Sequence, residues 1–269
     1  MTKKKRKKSE KVQSNICITG EEASKVIELI KEKYSDVNFC LYDAINETED
    51  KNKIFSFFDA VFYYGASDKN EFINYFTGHN HFRMINSSYG TNELFLEIDS
   101  FMGGDTHYEI EKKFIIEYPD IDVLNCLKNA QKVYISQSYI NDNGVRKRIR
   151  KRGIDGVYSY YLTMKKTISG FKKEEVEYKI TREEYETLKN NNKDNLTIEK
   201  TRYCLSENFT YYEIDVYPFW KDKAVMEIEL KDENEKYILP KNIKIIKDVS
   251  TDKNYSNYNL ALLNKNKSE

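Results

Sequence analysis

Tyr108-Glu109-Ile110-Glu111-Lys112-Lys113-Phe114 decides the fold. In an extended strand alternate side chains share a face, so Glu109, Glu111 and Lys113 point one way and Ile110, Lys112 and Phe114 the other. One such triplet is ordinary solvated surface. The repetition downstream changes the reading. Arg148 and Arg150, Thr163 and Lys165, Glu175 and Glu177, Lys200 and Arg202, Glu213 and Asp215, and Glu227 and Glu229 keep the spacing of two. Their surroundings are rich in Ile, Val, Tyr, Thr and Phe, which favour strands. Strands with charge on one face and apolar groups on the other predict a closed barrel with a polar interior. The charges would then line a tunnel.

An apolar interior with outward charges is the competing arrangement. Against it stand Ile110, Ile149, Leu162, Met164, Val176, Ile214 and Ile228, which lie between the charges and need burial under flanking helices. Lys147 and Lys151 blur the parity of their own segment. After the first strand the pattern predicts a helix over 122–130, then strands over 132–140 and 145–152 joined by Asn141-Asp142-Asn143-Gly144, whose Asn-Gly favours a tight turn. Strands at 158–167 and 172–180, a helix at 181–190, and strands at 196–205, 210–217 and 224–230 complete the set. The expectation is an α+β chain whose C-terminal part is an eight-stranded antiparallel β-barrel. Closure would remove its exposed edges.

The ordered set resembles the CYTH family, the triphosphate tunnel metalloenzymes, over about residues 107–262. Glu109-Ile110-Glu111-Lys112-Lys113 fits the opening Glu-x-Glu-x-Lys signature, and Arg148-Ile149-Arg150, Leu162-Thr163-Met164-Lys165, Lys200-Thr201-Arg202, Tyr212-Glu213-Ile214-Asp215 and Glu227-Ile228-Glu229 follow in family order. Ser250-Thr251-Asp252 and Tyr255-Ser256-Asn257 resemble its closing pattern, with Ser250 in a threonine position.

The resemblance implies a metal-dependent triphosphatase, acting on inorganic tripolyphosphate to give diphosphate and phosphate. Lys113, Arg148, Arg150, Lys165, Lys200, Arg202 and Lys247 would bind the substrate, with arginine suited to bidentate phosphate contacts. Glu109, Glu111, Asp215, Glu227 and Glu229 would hold Mg2+ or Mn2+, both of which take hard oxygen ligands. Glu111, Lys113 and Glu227 would act at the reacting phosphate. Glu175 and Glu177 would add ligands or balance the bases. The same tunnel admits thiamine triphosphate, a nucleoside triphosphate or ATP cyclisation, the last without a visible purine site. A non-catalytic binder of polyphosphate, a nucleotide or a phosphoinositide headgroup is the alternative.

Residues 16–102 alternate differently, with short apolar strands followed by amphipathic helices. That pattern predicts a small parallel α/β domain. Ile18-Thr19-Gly20, and Gly78 to Asn86 followed by a helix, resemble the P-loop NTPase domain of proteins that fuse one to a CYTH barrel. A P-loop needs Gly-x-x-x-x-Gly-Lys-Ser/Thr to wrap phosphates. After Gly20 come Glu21 and Glu22 with no second glycine, so the domain is expected to be degenerate and non-hydrolysing. His79 and His81 share a strand parity that could hold a metal, though no further ligand spacing supports it.

Formal charge sums to zero, but residues 1–15 carry +6, residues 16–105 carry −9 and the remainder +3. The Lys3 to Lys8 run reads as a disordered basic arm that could steer the chain to nucleic acid or the nucleus. Gly103-Gly104-Asp105 is the expected linker. Four cysteines without Cys-x-x-Cys spacing make a zinc site an unsupported reading. No apolar run approaches the roughly 20 residues of a membrane span. The expected setting is cytoplasmic, with a small-molecule triphosphate as partner.

Overall fold

The computed structural model describes residues 14–45, 49–102, 108–127, 130–142, 145–169, 172–191, 196–230, 234–240 and 242–268. The side chains at 108, 109, 142, 145, 165–169, 172–175, 267 and 268 lie outside that set. The basic arm through residue 13, the Gly103-Gly104-Asp105 linker, the Asn143-Gly144 turn and the side chains of Glu109, Lys165 and Glu175 therefore fall outside the described residues.

In β3 (Ala60–Gly65) every residue is buried, as in a strand covered on both faces. It lies between β1 (Asn15–Thr19) and β4 (Phe82–Asn86), with β2 (Asn38–Tyr42) beyond β1, in a parallel sheet of order β2-β1-β3-β4. The helices between them are α1 (Ala23–Lys33), α2 (Lys51–Phe57) and α3 (Glu71–Phe76), and α4 (Thr91–Phe101) follows β4. Alternate strand residues feed opposite layers. Ile16, Ile18, Phe62 and Tyr64 pack with α1 and α4, while Cys17, Val61 and Tyr63 pack with Phe72, Ile73 and Phe76 of α3. The pattern did not foretell α2. None of its residues is buried, so no apolar stripe marks it, and its start depends on the Asp50 side chain accepting from the Asn52 amide at 3.0 Å.

The second sheet is antiparallel and holds nine strands rather than eight. They are β5 (Tyr108–Glu117), β6 (Ala130–Asp142), β7 (Val145–Ile154), β8 (Val157–Ser169), β9 (Lys172–Ile180), β10 (Leu196–Glu207), β11 (Thr210–Val216), β12 (Lys223–Leu230) and β13 (Ile245–Asp248). The order is β12-β11-β10-β6-β7-β8-β9-β5-β13, and β12 pairs with β5 as well. The added strand is β13, four residues long, which pairs near Phe114 to Ile116 while β9 reaches only Tyr108 to Ile110.

Of the in-between residues, Ile110, Ile149, Ile214 and Ile228 are buried, Leu162 and Met164 are half-buried and Val176 is exposed. Phe114, Ile116, Ile214, Met226 and Ile228 pack with Leu124 of α5 (Ile121–Cys126), and Ile140 and Ile149 pack with Tyr185 of α6 (Arg182–Asn190). A capping box between Thr181 and Glu184 starts α6. On the other face, Ile115, Ile198 and Val225 share the parity of the charged residues but pack with Leu260 and Ala261 of α7 (Asn257–Ser268). One end of the polar face is thus closed by an apolar layer.

The α/β half seats against the opposite end. Gln131 at the start of β6 accepts from the Gly78 amide at 2.9 Å and donates to the Asn74 and Tyr75 carbonyls at 2.6 and 2.5 Å. Arg152 donates to the Gly78 carbonyl at 3.0 Å, and the Tyr211 hydroxyl to that of Thr77 at 3.1 Å. A Cβ at Gly78 would run into the Gln131 side chain, whose amide would have to give up this position.

Candidate functional site

Strand register decides which charges meet. Between β5 and β12, Glu111 stands opposite Glu229 and Lys113 opposite Glu227. Glu227 in turn faces Glu213 on β11, and Asp215 faces Arg202 on β10. Across the sheet, Arg148 faces Thr163, which faces Glu177. Like charges directly opposite repel, so the Glu111–Glu229 and Glu213–Glu227 pairs stand only with cations among them.

Those cations are present. Lys113 Nζ lies 2.7 Å from Glu227 and 3.6 Å from Glu111. Arg202 grips Asp215 with two nitrogens at 2.6 and 2.7 Å, reaches Glu227 at 2.7 Å and donates to Glu213 as well. Lys200 donates to Asp215 Oδ2, the oxygen that Arg202 Nη2 also binds. Burial works to lower the Lys113 pKa, but Glu111 and Glu227 overcome it and hold the group above its ordinary value. Burial also works to raise Glu227, and Lys113, Arg202 and Lys200 overcome that, keeping the carboxyl well below the usual range. Lys200 goes the other way. Burial and then the Arg202 charge push it down to about 8 despite Asp215.

A second network centres on Glu177. Arg150 Nη2 donates to both of its oxygens at 3.0 and 2.8 Å, Arg148 Nη2 to Oε2 at 3.3 Å and the Thr163 hydroxyl to Oε2 at 2.6 Å. From the α/β half, Asn80 donates at 3.0 Å and His81 Nε2 sits 3.5 Å away. Burial alone would raise the Glu177 pKa, but Arg150, His81 and Arg148 hold it well below the carboxylate range.

Both networks open onto one cavity of about 1670 Å³. It brings together Glu111, Lys113, Arg148, Arg150, Lys200, Arg202, Glu227 and Glu229 of the expected residues. Two others are placed elsewhere. Asp215 has 0% exposure and is sealed behind Lys200 and Arg202, which makes it an anchor for those bases rather than a ligand facing the cavity. Lys247 on β13 is 58% exposed, pairs with Asp252 at 3.3 Å and does not line the cavity, because β13 attaches outside the β5–β12 ladder. Glu109 and Lys165 have side chains outside the described residues.

The pattern also passed over residues that the cavity includes. Arg152 continues the period of Arg148 and Arg150, a signal that was available. Asn80, His81 and Arg83 come from the α/β half, and no local pattern ties them to the sheet. His79 is buried, with Nε2 3.2 and 3.1 Å from the Phe55 and Phe58 carbonyls and Nδ1 accepting from the His81 amide at 3.2 Å. Burial pushes its pKa down to about 3, so it stays neutral, and with both ring nitrogens engaged it is no metal ligand.

Glu111 and Glu229 stand opposite in register and both line the cavity, and carboxylates are the oxygen donors that Mg2+ or Mn2+ would take. Among the described residues no group of three or more His, Cys, Asp or Glu side chains could hold a metal by itself. Further ligands would come from phosphate oxygens or water.

No family model and no curated protein matches the chain. Among solved structures it is similar to the inorganic triphosphatase NE1496, at 25% identity and a TM-score of 0.37 over 57% of this chain and 94% of that one. A conserved hypothetical protein from Pyrococcus furiosus overlaps at 23% identity and 0.34, covering 46% of this chain and 80% of that one. The Hippeastrum protein HpAC1, described by a dominant triphosphatase activity, overlaps at 13% and 0.31, with the same coverage. Scores this low carry no functional weight.

Proposed function

We propose that the β12–β5 pairing closes the nine-stranded sheet into a tunnel, and that the tunnel is a divalent-cation-dependent triphosphatase of the CYTH type acting on inorganic tripolyphosphate. The observation that carries this is the register, which sets acids and bases on one interior face and couples them pairwise. A network already neutral in itself resists a lone anion, because freeing the bases would strand buried carboxylates. It yields when phosphate takes the bases while a cation takes the acids. Retained carboxylates make sense for such joint binding and not for anion capture alone.

In this reading Arg148, Arg150, Arg202, Lys113 and Lys200 hold the phosphate chain in line for attack. Glu111 and Glu229 hold Mg2+ or Mn2+, which supplies Lewis-acid polarisation of phosphate oxygens when bound. The bases meet the charge that spreads onto the leaving diphosphate, so catalysis is mainly positioning and electrostatic stabilisation. Glu227, pinned by Lys113 and Arg202, orients those two bases. Water as acceptor gives phosphate and diphosphate.

Phosphate release from tripolyphosphate, ATP and thiamine triphosphate, with Mg2+ or Mn2+, tests the proposal against Glu111→Gln. Cation-dependent release from tripolyphosphate that the substitution abolishes is the expected result. Tight binding with no release from any of the three would replace the hydrolase with a polyanion-binding protein.

A further inference from the structure

Arg83 sits on β4 of the α/β half yet its guanidinium lies 2.6 Å from Glu229 on β12, 146 residues away in sequence. Its Nε also lies 3.9 Å from Glu97 on α4, so one side chain bridges a carboxylate of each half. The side chain keeps a quarter of its surface exposed and lines the same cavity as Glu111 and Lys113. Burial opposes its charge, but Glu229 and Glu97 more than restore it. Its placement is firm, because the Thr77 to Phe82 segment before it is bonded to Gln131, Arg152, Tyr211 and Glu177.

Glu229 is one of the two opposed carboxylates proposed above for a divalent cation. The geometry points to Arg83 as a tethered counter-cation of the tunnel, lent by the α/β half, which contends with a divalent cation for Glu229 and attracts a polyphosphate in the same cavity. Arg83 therefore weakens binding of either cation alone and strengthens binding of the anion. The α/β half then has a role that does not need a nucleotide site of its own. It sets how strongly the tunnel discriminates between bare cation and cation with triphosphate. A planar guanidinium suits this post, since it binds carboxylate and phosphate with the same fork.

This inference rests on the tunnel reading, and its test separates the two. With the intact chain, Mn2+ affinity is measured by electron paramagnetic resonance without phosphate, and tripolyphosphate affinity by calorimetry in EDTA. Arg83→Gln is expected to tighten Mn2+ and weaken tripolyphosphate, each by about tenfold, the scale of one charge-assisted hydrogen bond. A merely structural arginine would move both affinities in one direction or neither, and either result overturns the inference while leaving the tunnel reading in place. A wild-type chain that binds neither ligand even when Mn2+ and tripolyphosphate are supplied together overturns both. Thermal melts monitor folding. Should Arg83→Gln fail to fold, Arg83→Lys keeps the charge without the fork, and shifts of opposite sign by about threefold are expected.

Discussion

Glu177 is where the two halves of the chain share a charge. It binds Arg148 and Arg150, the bases a phosphate would use, and so acts as a built-in rival to the ligand. Glu177→Gln is expected to raise tripolyphosphate affinity about tenfold, by the measure of a charged hydrogen bond, while lowering the melting temperature. Calorimetry and a thermal melt on the same sample read both. Its depressed pKa also fixes a direction in pH. The stabilisation it brings is present above its unfolded value of about 4.3 and is lost as pH falls through the lower folded value, where the native state must also take up a proton. Melting temperature should hold steady down to about pH 5 and drop below that, less steeply in Glu177→Gln.

Lys200 has the opposite sign. Its folded pKa of about 8 lies below an unfolded value of about 10.4, so between those limits the unfolded chain binds the extra proton and stability from this group rises with pH. Function should move the other way. Loss of the Lys200 charge above about pH 8 is expected to weaken tripolyphosphate binding, a trend that Lys200→Met would flatten.

At the scale of elements, α7 and the turn before β4 hold the two ends of the cavity. Leu260 is buried against the apolar layer of Ile115, Ile198 and Val225, and Leu260→Ala is expected to cost about 2–5 kcal/mol in denaturant melts. Strand parity was legible in the sequence because the charged face lines the cavity. A polar face of this kind makes acids and bases recur at every second residue, from Glu111 and Lys113 to Glu227 and Glu229. Parity does not give register, however. That Glu111 meets Glu229, or that Asp215 is sealed by Lys200 and Arg202, depends on ladders between strands far apart in sequence. Lys247 shared the right chemistry but sits on a strand that attaches outside the β5–β12 ladder. Short β13 and cap-dependent α2 left no periodic trace.

Over the whole molecule, a −9 segment seats against a cavity proposed for an anion, and the structure resolves that conflict locally. The segment from Thr77 to Arg83 presents amides, carbonyls, Asn80, His81 and Arg83 to the sheet. Arg83 could not have been assigned to the site from sequence, since its partner Glu229 belongs to another sheet and another periodicity. The central claim is that acids and bases of the tunnel change partners together, so that cation and triphosphate bind as a pair. Calorimetric titration of tripolyphosphate into Glu111→Gln and wild-type chains, with and without Mg2+, tests this most directly. Mg2+ should tighten tripolyphosphate binding to the wild type by at least about tenfold, a coupling of roughly 1.4 kcal/mol, and Glu111→Gln should lose that gain. Tripolyphosphate affinity that is unchanged or weakened by Mg2+ would contradict the account.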